Sequence, residues 1–187
     1  MNTLIIYAHP DHESHAKTTL EYVKEKLESK KEDYEVLDLY KMHFNPILSE
    51  KEIYHKDHES IKDVILLQEK ITNAKHLIVI YPIWWNGMPA ILKGFIDRVF
   101  SSGYAFKYEK GIPKGLLPNK KATVFVTTGA NKLMTCIFLG NRFKKNAQRD
   151  IFGFCGIKTK VYHVDKAYNL NHTQKSRIKK NVEKALK

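Results

Sequence analysis

Apolar residues along the chain fall into two alternating patterns. Leu4-Ile5-Ile6-Tyr7 is a short continuous apolar run, of the length a fully buried strand needs. Ala16, Leu20, Val23 and Leu27 follow at helical spacing, with charges between them. Val36, Leu37 and Leu39 predict a second strand ending near Tyr40, and Ile61, Val64, Ile65, Gln68 and Ile71 outline a second helix face. Leu77-Ile78-Val79-Ile80-Tyr81 is the strongest strand signal of the chain. After it, Ile91, Leu92, Phe95, Ile96, Val99 and Phe100 form a broad helical stripe from Ala90 to Phe100. Thr123 to Thr127 and Lys160 to Val164 read as the last two strands, and Ile178, Val182 and Leu186 share one side of a C-terminal helix.

Two stretches interrupt this alternation. Residues 42–60 are rich in charge and histidine and contain Pro46; they read as a long loop with a short helix after Ser49. Residues 107–121 carry glycine and proline breakers and read as a second loop. Continuous apolar strands alternating with helices imply an α/β fold whose parallel sheet is covered on both faces. Right-handed crossovers make a doubly wound sheet the economical arrangement. With no repeat or linker in view, residues 1–187 are expected to form one domain. In such sheets ligands bind beyond the carboxyl ends of the strands, which directs attention to the loops after the first, third and fourth strands.

Composition changes this picture little. The chain is 43% hydrophobic and 28% charged, ordinary globular values. Its net charge of +12 comes from 32 basic against 20 acidic residues, and the lysines are spread along the chain. No basic segment is interleaved with stacking aromatics, so a nucleic-acid partner is not expected and the lysines read as a solvated surface. Cys136 and Cys155 have neither disulfide-framework nor metal-ligand spacing and read as reduced thiols. The apolar run from Leu77 to Trp85 is too short to span a bilayer, and the N-terminus has no secretory pattern. A soluble, cytoplasmic protein is expected.

The first loop runs His9-Pro10-Asp11-His12-Glu13-Ser14-His15-Ala16-Lys17. Ser14 suits a helix N-cap, and the free first-turn amides behind it favour an anion. Ser14, His15 and Lys17 could add side-chain donors to a phosphate, although no glycine-rich fingerprint is present. The same segment resembles the AHPDDE motif of zinc-dependent N-acetylglucosaminyl deacetylases. His12 stands where that motif has its second Asp, and no downstream ligand motif completes a zinc site, so no metal is expected.

The second loop is more specific. Pro82-Ile83-Trp84-Trp85-Asn86-Gly87-Met88-Pro89 places two adjacent tryptophans directly after a buried strand, where they must either pack or line an aromatic ligand. With the following Ala90-Ile91-Leu92-Lys93-Gly94-Phe95-Ile96-Asp97-Arg98-Val99-Phe100, it closely resembles the flavin-binding segment of the DT-diaphorase-like NAD(P)H:quinone oxidoreductases. The first loop resembles that family's phosphate loop, Thr127-Thr128-Gly129-Ala130 resembles its TTGG, and Phe154-Cys155-Gly156 matches a segment before its last strand.

The resemblance implies a flavodoxin-like five-stranded parallel sheet of order 2-1-3-4-5, and a homodimer with sites at the subunit interface. It implies that His9, Ser14, His15, Ala16 and Lys17 hold the flavin phosphate. Pro82, Ile83, Trp84, Trp85 and Asn86 would run along the ring edge, and Thr127, Thr128, Gly129 and Ala130 would lie at the pyrimidine end. FMN is favoured over FAD, with NAD(P)H as reductant and a quinone or other electrophile as acceptor. Phe106 and Tyr108 fall where the family has aromatics lining the substrate pocket. Ungapped counting puts Thr135 and Asn141 at the positions of a tyrosine and a histidine that help stabilise reduced flavin. Both can hydrogen-bond but neither titrates near neutrality, which leaves the acceptor open. The resemblance also extends to soluble flavoproteins that serve potassium-efflux transporters, so a membrane-transporter partner is the alternative reading.

Overall fold

Successive side chains of the central strands enter two different cores, and that division sets the architecture. The computed structural model describes residues 2–11, 13–55 and 61–187. Strands β1 (Thr3–Tyr7), β2 (Tyr34–Asp38) and β3 (His76–Pro82) precede a hairpin of β4 (Phe106–Glu109) and β5 (Ile112–Gly115). β6 (Lys121–Thr127) and β7 (Lys158–Val164) follow. Five of these strands form one parallel sheet in the order β2-β1-β3-β6-β7.

Helices α1 (His15–Ser29), α2 (Lys62–Asn73), α3 (Ala90–Val99), α4 (Lys132–Ile137), α5 (Arg142–Lys145) and α6 (His172–Ala185) connect and cover the strands. Ile5, Tyr7, Ile78, Ile80 and Phe125 pack with α1 and α6, whereas Leu4, Ile6, Leu77, Val79 and Val124 pack with α2 and α3. Burying side chains of this size stabilises by about 1.5–3 kcal/mol each, so the period-2 alternation holds the register of every central strand.

Three expectations are corrected. The expected order 2-1-3-4-5 leaves β4 and β5 uncounted, and these lie outside the parallel sheet as an antiparallel pair. Residues 107–121, expected as a loop, hold most of that hairpin. Lys110 and Gly111 both sit at positive φ, so this breaker makes a tight turn between paired strands. In residues 42–60 a single π-helical turn, Lys51–His55, takes the place of the expected short helix. Residues 56–60 of that stretch lie outside the described residues.

The glycine of the Leu92-Lys93-Gly94-Phe95 motif has a packing role. A Cβ at Gly94 would overlap the carbonyl oxygen and Cβ of Pro46, because α3 crosses that loop at backbone contact. One turn on, the Arg98 guanidinium donates to Glu52 (2.7 Å), to the Asn45 carbonyl (2.8 Å) and to Asp63. Gly94→Ala is expected to lower the free energy of unfolding by about 1–3 kcal/mol through overpacking. Urea denaturation reads this directly, and an unchanged midpoint would mean the Pro46 segment yields freely.

Candidate functional site

The loop after β1 is built to leave donors unspent. The Asp11 amide donates to His9 Nδ1 (3.0 Å) and the Glu13 amide to Asp11 Oδ1 (2.9 Å), which curls the chain back on itself. Ser14 caps α1, its Oγ accepting from the Lys17 amide at 3.1 Å. The amides of Ser14, His15 and Ala16 have no acceptor among the described residues. The His15 ring is buried, and its Nε2 has no partner among the described residues. Burial lowers the pKa of both His9 and His15, so both rings are held neutral near pH 7.

After β3 the chain is tied to β6 by the Ile83 amide, which donates to the Thr127 carbonyl at 2.8 Å. Trp84 and Gly87 then exchange backbone hydrogen bonds of 3.0 and 2.9 Å around a turn whose central residues, Trp85 and Asn86, both sit at positive φ. Asparagine tolerates that region, but a bulky tryptophan is strained there by about 1–3 kcal/mol. The strained turn leaves the Trp85 and Asn86 amides without acceptors among the described residues, and Asn86 Oδ1 is buried without a donor. Trp85 is fully exposed, whereas the Trp84 ring leans toward His9 with centroids 6.1 Å apart.

The loop after β6 is held from behind. The Thr128 amide donates to the Val164 carbonyl, and Thr128 Oγ1 donates to the Ala130 carbonyl at 2.8 Å. The Gly129 and Ala130 amides point to no acceptor among the described residues. Ala130 does not sit at positive φ, so alanine costs nothing where the family carries glycine.

These three loops meet in one cleft of about 290 Å³ at the carboxyl edge of the sheet. His9, Ser14 and His15 line it from the first loop, Pro82, Ile83 and Trp84 from the second, and Thr127, Thr128 and Gly129 from the third. Ala16, in the first turn of α1, is buried and offers only its amide. Lys17 is turned along the helix, where its ammonium pairs with Glu21 at 2.8 Å. No lysine or arginine lines the cleft among the described residues, whereas Asp11 and Glu13 do. Any anion held here is therefore held by neutral donors.

Other expected residues lie elsewhere. Thr135 is buried with its hydroxyl on the Lys132 carbonyl, and Asn141 opens α5 at positive φ; neither lines the cleft. Phe106 lines a separate apolar cavity of about 940 Å³, which also has Tyr104 and Phe154 in its wall. Tyr108 stands exposed, edge-on to Phe106 with centroids 6.0 Å apart. Within one chain these aromatics do not meet the three loops. His12, on which the zinc reading turned, lies outside the described residues. Among the described residues no group of three or more histidine, cysteine or acidic side chains could hold a metal.

The cleft also takes Ala167, Tyr168 and Leu170 from the loop after β7. Residue pattern in that segment is unremarkable, and only the carboxyl-edge rule, extended to the last strand, would have pointed to it.

The family described as having a flavodoxin-like fold matches residues 1–187. An NAD(P)H dehydrogenase (quinone) 1 from Cavia porcellus is 34% identical over 91% of this chain and 69% of its own length. The chain belongs to the DT-diaphorase-like NAD(P)H:quinone oxidoreductase family. An FMN-dependent NADH:quinone oxidoreductase of Clostridium perfringens is similar to this family member at 34% identity, over 88% of this chain and 84% of that one. The solved NAD(P)H:quinone oxidoreductase of Methanothermobacter marburgensis superposes on this DT-diaphorase-like chain with a TM-score of 0.83. It is 25% identical, over 100% of this chain and 94% of that one. No helix among the described residues is long and apolar enough to cross a membrane.

Proposed function

We propose that the cleft holds FMN and that the protein passes reducing equivalents from NAD(P)H to a quinone or related electrophilic acceptor. The observation that carries this is the set of unspent hydrogen-bonding groups on three loops that meet at one cleft, with Ala16, Trp85, Asn86 and Ala130 just outside its wall. The amides of Ser14 to Ala16, with His15 Nε2, suit a phosphate, whereas Ser14 Oγ is engaged with the Asp11 carbonyl and the Lys17 amide. The Trp85 and Asn86 amides and Asn86 Oδ1 suit the alternating donors and acceptors of a flavin edge. The Gly129 and Ala130 amides suit the pyrimidine end. An apolar core would waste such groups, since a buried polar atom left unpaired costs about 1–3 kcal/mol. The relatives agree: an NAD(P)H dehydrogenase (quinone) and an FMN-dependent NADH:quinone oxidoreductase are each 34% identical to this chain.

When bound, FMN supplies the hydride-accepting ring; the chain supplies place and field. Amide donors at the third loop stabilise negative charge as it develops, and cost no reorganisation because the backbone already points there. Trp84, whose ring leans toward His9 at the cleft wall, would flank the flavin there. Thr135 and Asn141 lie outside the cleft and carry no titratable group, so neither would supply a proton to the acceptor.

The working unit in this reading is a homodimer of one-domain subunits. Phe106 and Tyr108 lie outside their own chain's cleft, and Leu133, Ile137, Phe138 and Trp85 expose large apolar surfaces beside it. A second copy that covers those surfaces brings Phe106 and Tyr108 of the partner subunit to the acceptor site. Free cysteines at 136 and 155 fit a reducing, cytoplasmic setting.

The test is spectroscopic. Purified protein, as isolated or after adding FMN, is expected to show bound-flavin absorbance that NADH or NADPH bleaches anaerobically and a quinone restores. Ping-pong kinetics follow if donor and acceptor use one site in turn. Failure to bind FMN in any amount would refute the assignment.

A further inference from the structure

His163 is the titratable group nearest the third loop that the reading above leaves without a task. It lies on β7, thirty-five positions from Thr128, with Nε2 2.7 Å from Thr128 Oγ1. The Thr128 hydroxyl proton is already committed to the Ala130 carbonyl at 2.8 Å. A hydroxyl has one proton, so Oγ1 can only accept from the ring, and His163 must carry its proton on Nε2. Its Nδ1 is then a buried lone pair with no partner. The ring is held in that pose by Phe143, edge-on with centroids 5.1 Å apart, and Asn181 of α6 holds the His163 carbonyl.

The surroundings keep the ring neutral. Burial, then the charge of Lys144 on α5, push the His163 pKa down to about 4; Lys132 on α4 acts the same way and Asp165 opposes both. Asp165 is itself engaged by the Lys132 amide (2.9 Å) and by Arg177 of α6 (3.2 Å). A second proton at Nδ1 would find no acceptor and would add charge beside two lysines. His163 is therefore a permanent donor across the physiological range.

We propose that His163 is the positioning residue of the third loop, setting how strongly the cleft favours reduced over oxidised flavin. The inference rests on the FMN reading above. Its logic runs through a carbonyl: the chain His163 Nε2–H to Thr128 Oγ1–H to Ala130 C=O ties that acceptor inward, so the loop presents the Gly129 and Ala130 amides to the site. Without the His163 donor the Thr128 hydroxyl is free to turn from the Ala130 carbonyl, which then keeps, among the described residues, only the long Lys166 amide contact (3.5 Å). An acceptor turned toward the pyrimidine end repels the charge that reduction brings.

Three substitutions test it: His163→Leu, which removes the donor; His163→Gln, whose amide can still donate; and Thr128→Val, which cuts the same chain at the next link. In the apoprotein, nitrogen NMR of His163 is expected to show the neutral Nε2–H tautomer from neutral pH down to about 4. With FMN, H163L is expected to weaken binding of the reduced form about tenfold more than the oxidised form, a fall of about 30 mV in the two-electron potential. H163Q restores most of that shift, and H163L/T128V shifts no further than H163L, since both cut one chain. A purely structural role would weaken both redox forms equally and leave the potential in place, which would overturn the proposal. So would an Nδ1–H tautomer. Wild-type protein without FMN affinity overturns the flavin reading itself, a result distinct from a bound flavin whose potential ignores His163.

Discussion

Arg98→Leu is expected to lower the free energy of unfolding by about 3–5 kcal/mol, the largest stability effect of any single substitution considered. The Arg98 and Glu52 side chains are only 5% and 6% exposed, and Nε lies 2.7 Å from Oε1. Removing the guanidinium strands a buried carboxylate that keeps, among the described residues, only its Ser49 donors, at 2.8 Å from both the amide and the hydroxyl. It also abandons the Asn45 carbonyl and uncovers the Phe44 ring, which lies 5.1 Å beneath the guanidinium. Replacing both partners with leucine removes the stranded charge as well, so R98L/E52L is expected to be far less destabilised than R98L.

The pair has a pH signature. Burial pushes the Glu52 pKa up, but the Ser49 hydrogen bonds and Arg98 outweigh it, and the net value lies below the ordinary 4.5. Its stabilisation is full above that value and is lost as pH falls through the lower folded one. Urea titrations of wild type and R98L are therefore expected to converge in acid. Equal midpoints at pH 7 would show that the 45–52 segment detaches and rehydrates at no cost.

Riboflavin, which lacks the phosphate, is expected to bind about 10²–10³-fold more weakly than FMN, a difference of about 3–4 kcal/mol. Charge-assisted hydrogen bonds contribute about 1.5–3 kcal/mol each, and the terminus of α1 adds up to about 2 kcal/mol. The carboxylates of Asp11 and Glu13 at the cleft wall and the cost of stripping water from the phosphate take back part of that sum. Quenching of flavin fluorescence measures both affinities. Because amides rather than lysines do the binding, the preference is expected to persist at high salt, where exposed lysine contacts would be screened. Equal affinities would place the phosphate outside the first loop.

Much of the site's location was readable from residue pattern. Strand periodicity put the three loops at one edge, and the Trp84-Trp85-Asn86-Gly87 segment singled out the second loop by the cost of exposing two tryptophans. Ser14 was readable as a cap because its side chain acts within three residues, on the Lys17 amide. Where the Lys17 ammonium points was not readable, because a carboxylate one helical turn away competes with any anion at the loop, and in the structure it pairs with Glu21. Phe106 and Tyr108 were placed on a loop because Gly111 and Pro113 look the same in a hairpin turn as in an irregular segment. His163 carried no sequence signal, since a single histidine on an edge strand is indistinguishable from a surface one.

The sequence by itself determined the layered α/β architecture, the two cores and the approximate place of the cleft. These follow from periods of 2 and 3.6 residues, which operate over a few residues of chain. Tertiary structure alone decided which donors stay unspent, where Phe106 faces, and that His163 stands behind Thr128. Such matters depend on distances between groups tens of residues apart, where an ångström separates a hydrogen bond from none.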